Sequence, residues 1–159
     1  MGLDLMLYVC NKAMTDKEIY DAAMDKPDKY MEEVCYGRKT WSLYYALRER
    51  SIDGDWLYEV SPEKWNRFVE TVAQHLDESV RPALEDYISW TYDPNRTAED
   101  EQANKDSEIL EKFVDSIFDA YPQLGYDWEA SAILRWYEMN DKIQTALKEG
   151  KKLILLASY

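Results

Sequence analysis

Histidine is almost missing from this chain: of its 159 residues only His75 is one. Without a second imidazole, the common histidine-based zinc sites and a serine nucleophile assisted by histidine and aspartate are poorly supported. His75 reads instead as a surface residue at the solvent boundary of a helix. Cysteine is nearly as scarce, and Cys10 and Cys35 form neither a Cys-x-x-Cys pair nor a cluster with histidine. They read as reduced, mostly buried thiols. The 5 glycines do not cluster, so there is no phosphate-cradling loop. No metal ligand set and no cofactor is expected. No apolar run approaches the roughly 20 residues of a bilayer span, and no basic n-region precedes the first one. A cytoplasmic setting without membrane contact is the expectation.

Positive charge is also short. Lysine and arginine number 19 against 32 acids, a net charge of −13. That balance opposes direct binding to nucleic acid or an anionic membrane and favours a partner with a basic surface. What the chain has in abundance is aromatic bulk, 14% of residues, with 13 tyrosines and 6 tryptophans. Disorder is therefore not expected, and the length suits a single domain, residues 1–159, with its own core.

Two apolar runs lie at the ends. Gly2-Leu3-Asp4-Leu5-Met6-Leu7-Tyr8-Val9-Cys10 and Leu153-Ile154-Leu155-Leu156-Ala157-Ser158-Tyr159 both read as buried strands. A third strand is expected at 56–60, with Trp56, Tyr58 and Val60 on one side. Between them the pattern is helical. Thr15-Asp16-Lys17-Glu18 is a capping box opening a helix to about Met24, 25–29 is a polar turn, and 30–36 is helix or coil. A helix of about three turns is expected over Gly37–Arg50, with Trp41, Tyr44, Tyr45 and Leu47 on one face. Ser61-Pro62-Glu63 is the clearest helix start, and Trp65, Phe68, Val69, Val72, Ala73 and Leu76 form its apolar stripe. Pro82 opens another helix, which stops at Asp93-Pro94-Asn95. Residues 96–106 are a loop or an exposed helix start. Ile109, Leu110, Phe113, Val114, Ile117, Phe118 and Tyr121 then mark a helix ending at Pro122, and Gln123 to Tyr126 connect to Asp127 as the N-cap of a last helix closing at Gly150. The order predicts an α+β fold: a small, about three-stranded sheet including both termini, covered by amphipathic helices.

The clearest charge feature is acidic. From Asp77 to Asp119 there are 13 acids against Arg81, Arg96, Lys105 and Lys112, a local net of −9. The apolar stripes point inward, so the acids are expected on the outer faces of two helices and the loop between them. Glu85, Asp86, Asp93, Glu99, Asp100, Glu101, Asp106 and Glu108 are the candidate partner-binding residues. Such a surface can imitate the phosphate rows of nucleic acid, or simply keep the protein soluble. Arg38 and Lys39 are the alternative site. Two cations at an expected helix N-terminus oppose the macrodipole, so they suit an anion or nucleotide held with that turn's amides, unless they pair with Glu32 or Glu33. Asp53-Gly54-Asp55 lacks the further ligands of a calcium loop and reads as a hairpin turn.

The opening Met1-Gly2-Leu3-Asp4-Leu5-Met6-Leu7-Tyr8, the pair in Gly37-Arg38-Lys39-Thr40-Trp41, the strand-to-helix step Tyr58-Glu59-Val60-Ser61-Pro62 and the closing Leu147 to Tyr159 resemble a group of small uncharacterised bacteriophage and bacterial proteins. Tyr36-Gly37 stands where the group usually has Tyr-Trp, and the acidic stretch around 93–108 has no counterpart there. The resemblance implies phage origin and fold. With the composition, it makes the leading expectation an acidic binding protein that docks on and inhibits or modulates a host protein, in the host cytoplasm, as a counter-defence or host-takeover factor. The alternatives are the small-ligand protein using Arg38 and Lys39, and a structural or oligomeric phage component. No catalytic residue is assigned, and catalysis is not the leading expectation.

Overall fold

The structure, a computed structural model, describes residues 3–119, 122 and 124–159. Gly2 of the opening run, Tyr121 of the helix expected from Ile109 and Gln123 of its connection lie outside the described residues. Among those described, five strands form one antiparallel sheet in the order β2-β1-β5-β4-β3. The strands are β1 (Asp4–Cys10), β2 (Glu32–Arg38), β3 (Arg50–Asp53), β4 (Leu57–Val60) and β5 (Lys152–Ser158). The helices are α1 (Asp16–Met24), α2 (Pro27–Tyr30), α3 (Trp41–Leu47), α4 (Pro62–His75), α5 (Val80–Thr91), α6 (Glu101–Ile117), α7 (Tyr126–Glu138) and α8 (Asn140–Lys148). No helix of the described residues is long and apolar enough to cross a membrane.

The fold is α+β, with two more strands than expected. Strand β1 pairs with β5 along its whole length, Asp4 opposite Ser158 and Leu7 opposite Leu155. Side chains alternate along a strand, so Leu5, Leu7, Val9, Leu153, Leu155 and Ala157 enter the large core against the helices, while Tyr8, Cys10, Ile154 and Leu156 enter a smaller one with Ile19 and Ala22 of α1. Burial on both faces is why these central strands read as continuous apolar runs rather than alternating ones.

Both missed strands are at the sheet edges. Residues 30–36 close the one-turn α2 at Tyr30, within what was expected to be a turn and then helix or coil, and continue as β2. The register of β2 shifts between Leu7 and Tyr8 of β1, so Val34 is a bulge that hides the alternation. Strand β3 takes Arg50 from the expected three-turn helix, which shortens to α3 at Trp41–Leu47. Trp56 precedes β4 and packs with Leu57 in the smaller core, whereas Tyr58 and Val60 face the helices; the three do not share one side.

Local helix signals hold where the chain itself supplies the caps. Thr15 and Glu18 make both bonds of the capping box, and Ser61 caps α4 with Pro62 in its first turn. Asp100 caps α6, so of the two readings of 96–106 the exposed helix start holds from Glu101 onward and the loop only up to Glu99. Helix α5 starts at Val80, two residues before Pro82, and α6 ends at Ile117. Gly125, not Asp127, is the N-cap of α7. The expected last helix is two, broken at Met139, where the amide bonds back to Trp136 rather than four residues back; Asn140 just beyond accepts from the Trp65 indole at 2.9 Å.

Candidate functional site

Helices α5 and α6 pack side by side and carry the acidic stretch. Glu85 and Asp86 on α5, Asp93 and Glu99 in the connection, and Glu101 and Glu108 on α6 are exposed. Two of the candidate residues have internal work. Asp100 is half-buried and accepts from the Ala103 amide at 2.9 Å as the α6 cap; Asp93 accepts from the Asn95 amide at 2.8 Å within its turn.

Asp106 corrects the expectation that every acid of this stretch faces outward. It is only 3% exposed and accepts from the Gln102 amide group at 2.9 Å. Ala103, Asp106, Leu110 and Phe113 follow one another along the buried stripe of α6, so helical geometry places position 106 inside whatever its charge.

No ion pair among the described residues engages the exposed acids; every one uses an acid from elsewhere: Asp16, Glu32, Glu59, Glu138 or Glu149. Of the four nearby bases, Arg81 turns away to Glu138 at 2.8 Å, and Arg96 donates to the Thr91 carbonyl and lies over the Trp90 ring. Acids crowd one another at the far end of α6. Partial burial, then Asp119 and Glu111, hold the Asp115 carboxyl above its usual range.

Arg38 and Lys39 are not at a helix N-terminus. Arg38 ends β2 and is exposed; Lys39 is half-buried at φ 55°, a left-handed residue in the turn before α3, and donates its amide to the Leu3 carbonyl. The amides that an anion was expected to use are already engaged. Glu129 of α7 reaches across, its carboxylate accepting from the Trp41 amide at 3.0 Å and the Ser42 amide at 3.3 Å. The protein thus fills this position with its own carboxyl group. Neither Arg38 nor Lys39 pairs with Glu32 or Glu33; Glu32 is bound to Lys142 at 3.0 Å.

Two more α7 side chains hold the same turn. Trp136 donates its indole N–H to the Tyr36 carbonyl at 3.1 Å and Trp128 donates to the Arg38 carbonyl at 2.5 Å. Because β2 is an edge strand, these indoles cap carbonyls that no neighbouring strand takes up. The fit is tight. A Cβ at Gly37 would stand 2.7 Å from the Thr40 hydroxyl and 3.3 Å from the Trp136 indole nitrogen. Gly37→Ala is therefore expected to destabilise the chain by about 1–3 kcal/mol, read as a lower urea midpoint. An unchanged midpoint would show that the turn relaxes freely.

A third cluster joins residues that the sequence places on three separate elements, Tyr44 on a helix face, Tyr58 on a strand and Tyr159 at the end of the last apolar run. Tyr44, Tyr58 and Tyr159 converge on the Asp55 carbonyl: the Tyr44 hydroxyl donates to it at 2.8 Å, the Tyr159 hydroxyl at 3.1 Å, and the Tyr44 and Tyr58 hydroxyls are 3.0 Å apart. Burial and the neighbouring hydroxyl push Tyr58 up to about 12. From Tyr159 of this knot the rings of Trp41, Tyr45 and Phe118 follow one another at centroid spacings of 6.2, 6.0 and 5.4 Å. Arg48 lies over the Tyr45 ring at 4.7 Å. Both cysteines are buried free thiols, and burial pushes Cys10 up to about 11 and Cys35 up to about 12, so neither is primed as a nucleophile. His75 is the exposed last residue of α4.

Comparison with protein-family models, with curated proteins and with solved structures finds no match to this chain.

Proposed function

We propose that this chain is an acidic binding protein that docks on a partner with a basic surface. The observation that carries the reading is the acidic face of α5 and α6: Glu85, Asp86, Glu99, Glu101 and Glu108 are exposed, and no described ion pair neutralises them. Like charges left together on a surface destabilise the isolated protein through self-repulsion, and a cationic partner relieves it. Tyr92 is exposed at the tip between the two helices and supplies an aromatic anchor of the kind that dominates interface energetics. The resemblance to bacteriophage proteins supports a host protein as the partner, and the charge supports a nucleic-acid-binding protein as its class. Docking would then act by occluding that partner's groove.

The test is capture from a bacterial lysate at low and high salt, followed by association kinetics with the purified partner. Charge reversal uses Glu99→Lys, Glu101→Lys and Glu108→Lys, leaving Asp100 to cap α6. One dominant partner is expected, with an on-rate that falls about tenfold or more in the triple variant and falls steeply with salt in the wild type. A partner retained equally by both proteins, or none at low salt, would remove the reading.

A further inference from the structure

The basic residues of this acidic chain raise a separate question. Lys64 and Arg67 belong to α4, and with Phe68 and Thr71 they form a stripe at i, i+3, i+4 and i+7. That stripe faces Tyr45 and Ala46 of α3 and Ile117 and Phe118 at the end of α6, across a cavity of about 170 Å³. Lys64 sits in the first turn of α4, where a cation opposes the helix dipole, so it is not placed there for helix stability. Among the described residues neither Lys64 nor Arg67 has an ion-pair partner, although the chain holds 32 acids. Glu63 and Glu70, one turn either side of Arg67, are not within ion-pair distance of it.

The apolar side of the cavity is equally specific. Phe68 is its buried floor. Tyr45 and Phe118 stack nearly parallel, 16° apart, and Phe118 is the end of the ring series, 39% exposed. A flat ring placed here extends the stack, while an attached anion meets the Lys64 ammonium and the Arg67 guanidinium. Ordinary small-molecule pockets measure about 300–1,000 Å³, so this one suits a single ring with its charged group rather than a dinucleotide.

We propose that the groove between α3, α4 and the end of α6 binds a small free aromatic anion, one ring bearing a phosphate or carboxylate, with Phe118 stacking on the ring, Tyr45 backing Phe118 from its other side, and Lys64 and Arg67 holding the oxyanion. This site is distinct from the acidic face, and the Glu99, Glu101 and Glu108 reversals leave it intact.

The experiment titrates the full chain with phenyl phosphate, benzoate, phenol and inorganic phosphate by calorimetry, and maps amide shifts by NMR. Phenyl phosphate is expected to bind about tenfold or more tightly than either phenol or inorganic phosphate, because stacking and charge each contribute. Shifts should centre on Tyr45, Lys64, Arg67 and Phe118. Lys64→Gln with Arg67→Gln, both on the surface or half-buried, should weaken binding about tenfold without lowering the melting temperature; Phe118→Ala should weaken it about tenfold as well and, losing its stack on Tyr45, lower the melting temperature by only about 2–4 °C. Equal binding of inorganic phosphate, shifts that map elsewhere, wild-type affinity in both variants, or no saturation in the millimolar range would overturn the assignment. So would a phosphotyrosine peptide binding about a hundredfold more tightly than phenyl phosphate, which would make the ligand a protein segment.

Discussion

Trp136→Ala lowers the stability of this chain by about 3–5 kcal/mol, the range for truncating a buried tryptophan. The side chain is 1% exposed and belongs to the large core, so its removal leaves a cavity lined by neighbours that can collapse only in part. It also leaves the Tyr36 carbonyl without the indole donor 3.1 Å away, on an edge strand that has no neighbouring strand on that side. Against a total of about 5–15 kcal/mol for a domain of this kind, one substitution removes a large share. Trp136→Phe separates the two effects: it keeps most of the packing and deletes the donor, for an expected loss of about 1–2 kcal/mol. Urea unfolding of the three proteins checks both values. A loss in Trp136→Ala below about 1 kcal/mol would mean that α7 does not hold β2 as described.

The second large effect depends on pH. Glu129 is 1% exposed and has no basic partner; burial pushes its carboxyl up to about 7, against the pull of the Ser42 and Trp41 amides. The Ser42 hydroxyl adds a smaller pull, although it completes no hydrogen bond of ordinary geometry. In the unfolded chain the same group titrates near 4.5. Between those values the folded state holds the proton more tightly than the unfolded state, so stability falls as pH rises from about 4.5 through 7 and levels off above. The separation of the two values corresponds to about 3 kcal/mol. Glu129→Gln cannot ionise and should lose that slope. Since the other acids contribute a background that both proteins share, the difference between their stability curves isolates Glu129.

Glu129→Ala gives the complementary result. It strands the Trp41 and Ser42 amides at the buried start of α3 and should cost about 2–4 kcal/mol at pH 5, where wild-type Glu129 is neutral and most favourable. At pH 8 the cost should shrink, because the wild type then carries a buried charge that alanine does not. Parallel curves for wild type and Glu129→Gln across this range would place the titration on another group.

The helix starts show what was legible in the sequence. Thr15 with Glu18, and Ser61 with Pro62, satisfy backbone groups three residues away, so a short window of sequence contains the whole interaction. The same holds for the apolar stripe of α4, where Trp65, Phe68 and Val72 are buried, although Ala73 of the expected stripe is exposed. Lys64 and Arg67 were open to the same reasoning. A lysine in the first turn after the clearest cap in the chain conflicts with the helix dipole just as Arg38-Lys39 was thought to, and the stripe rule puts Arg67 beside it.

Asp106 and the turn at Arg38 show where that reasoning stops. Charge predicts exposure on average, but position 106 is set by the α6 stripe, and one buried aspartate with a glutamine partner satisfies the geometry. At Arg38-Lys39 the local sequence suggests a helix beginning at Gly37. The partners that decide otherwise, Trp128, Glu129 and Trp136, lie between 88 and 100 residues away along the chain.

By itself, then, the sequence determined the α+β class, the apolar strands at 4–10 and 152–158, the capped starts of α1 and α4 and the acidity of the stretch from Asp77 to Asp119, because each follows from periodicity, caps or composition within a few neighbouring residues. Only the tertiary structure decided the edge strands β2 and β3, the burial of Asp106, the filling of the α3 amides by Glu129 and the meeting of Lys64 and Arg67 with Tyr45 and Phe118. Those depend on which distant segments supply hydrogen bonds and packing, and a backbone group or a charge in the sequence has no record of its partner until the chain has folded.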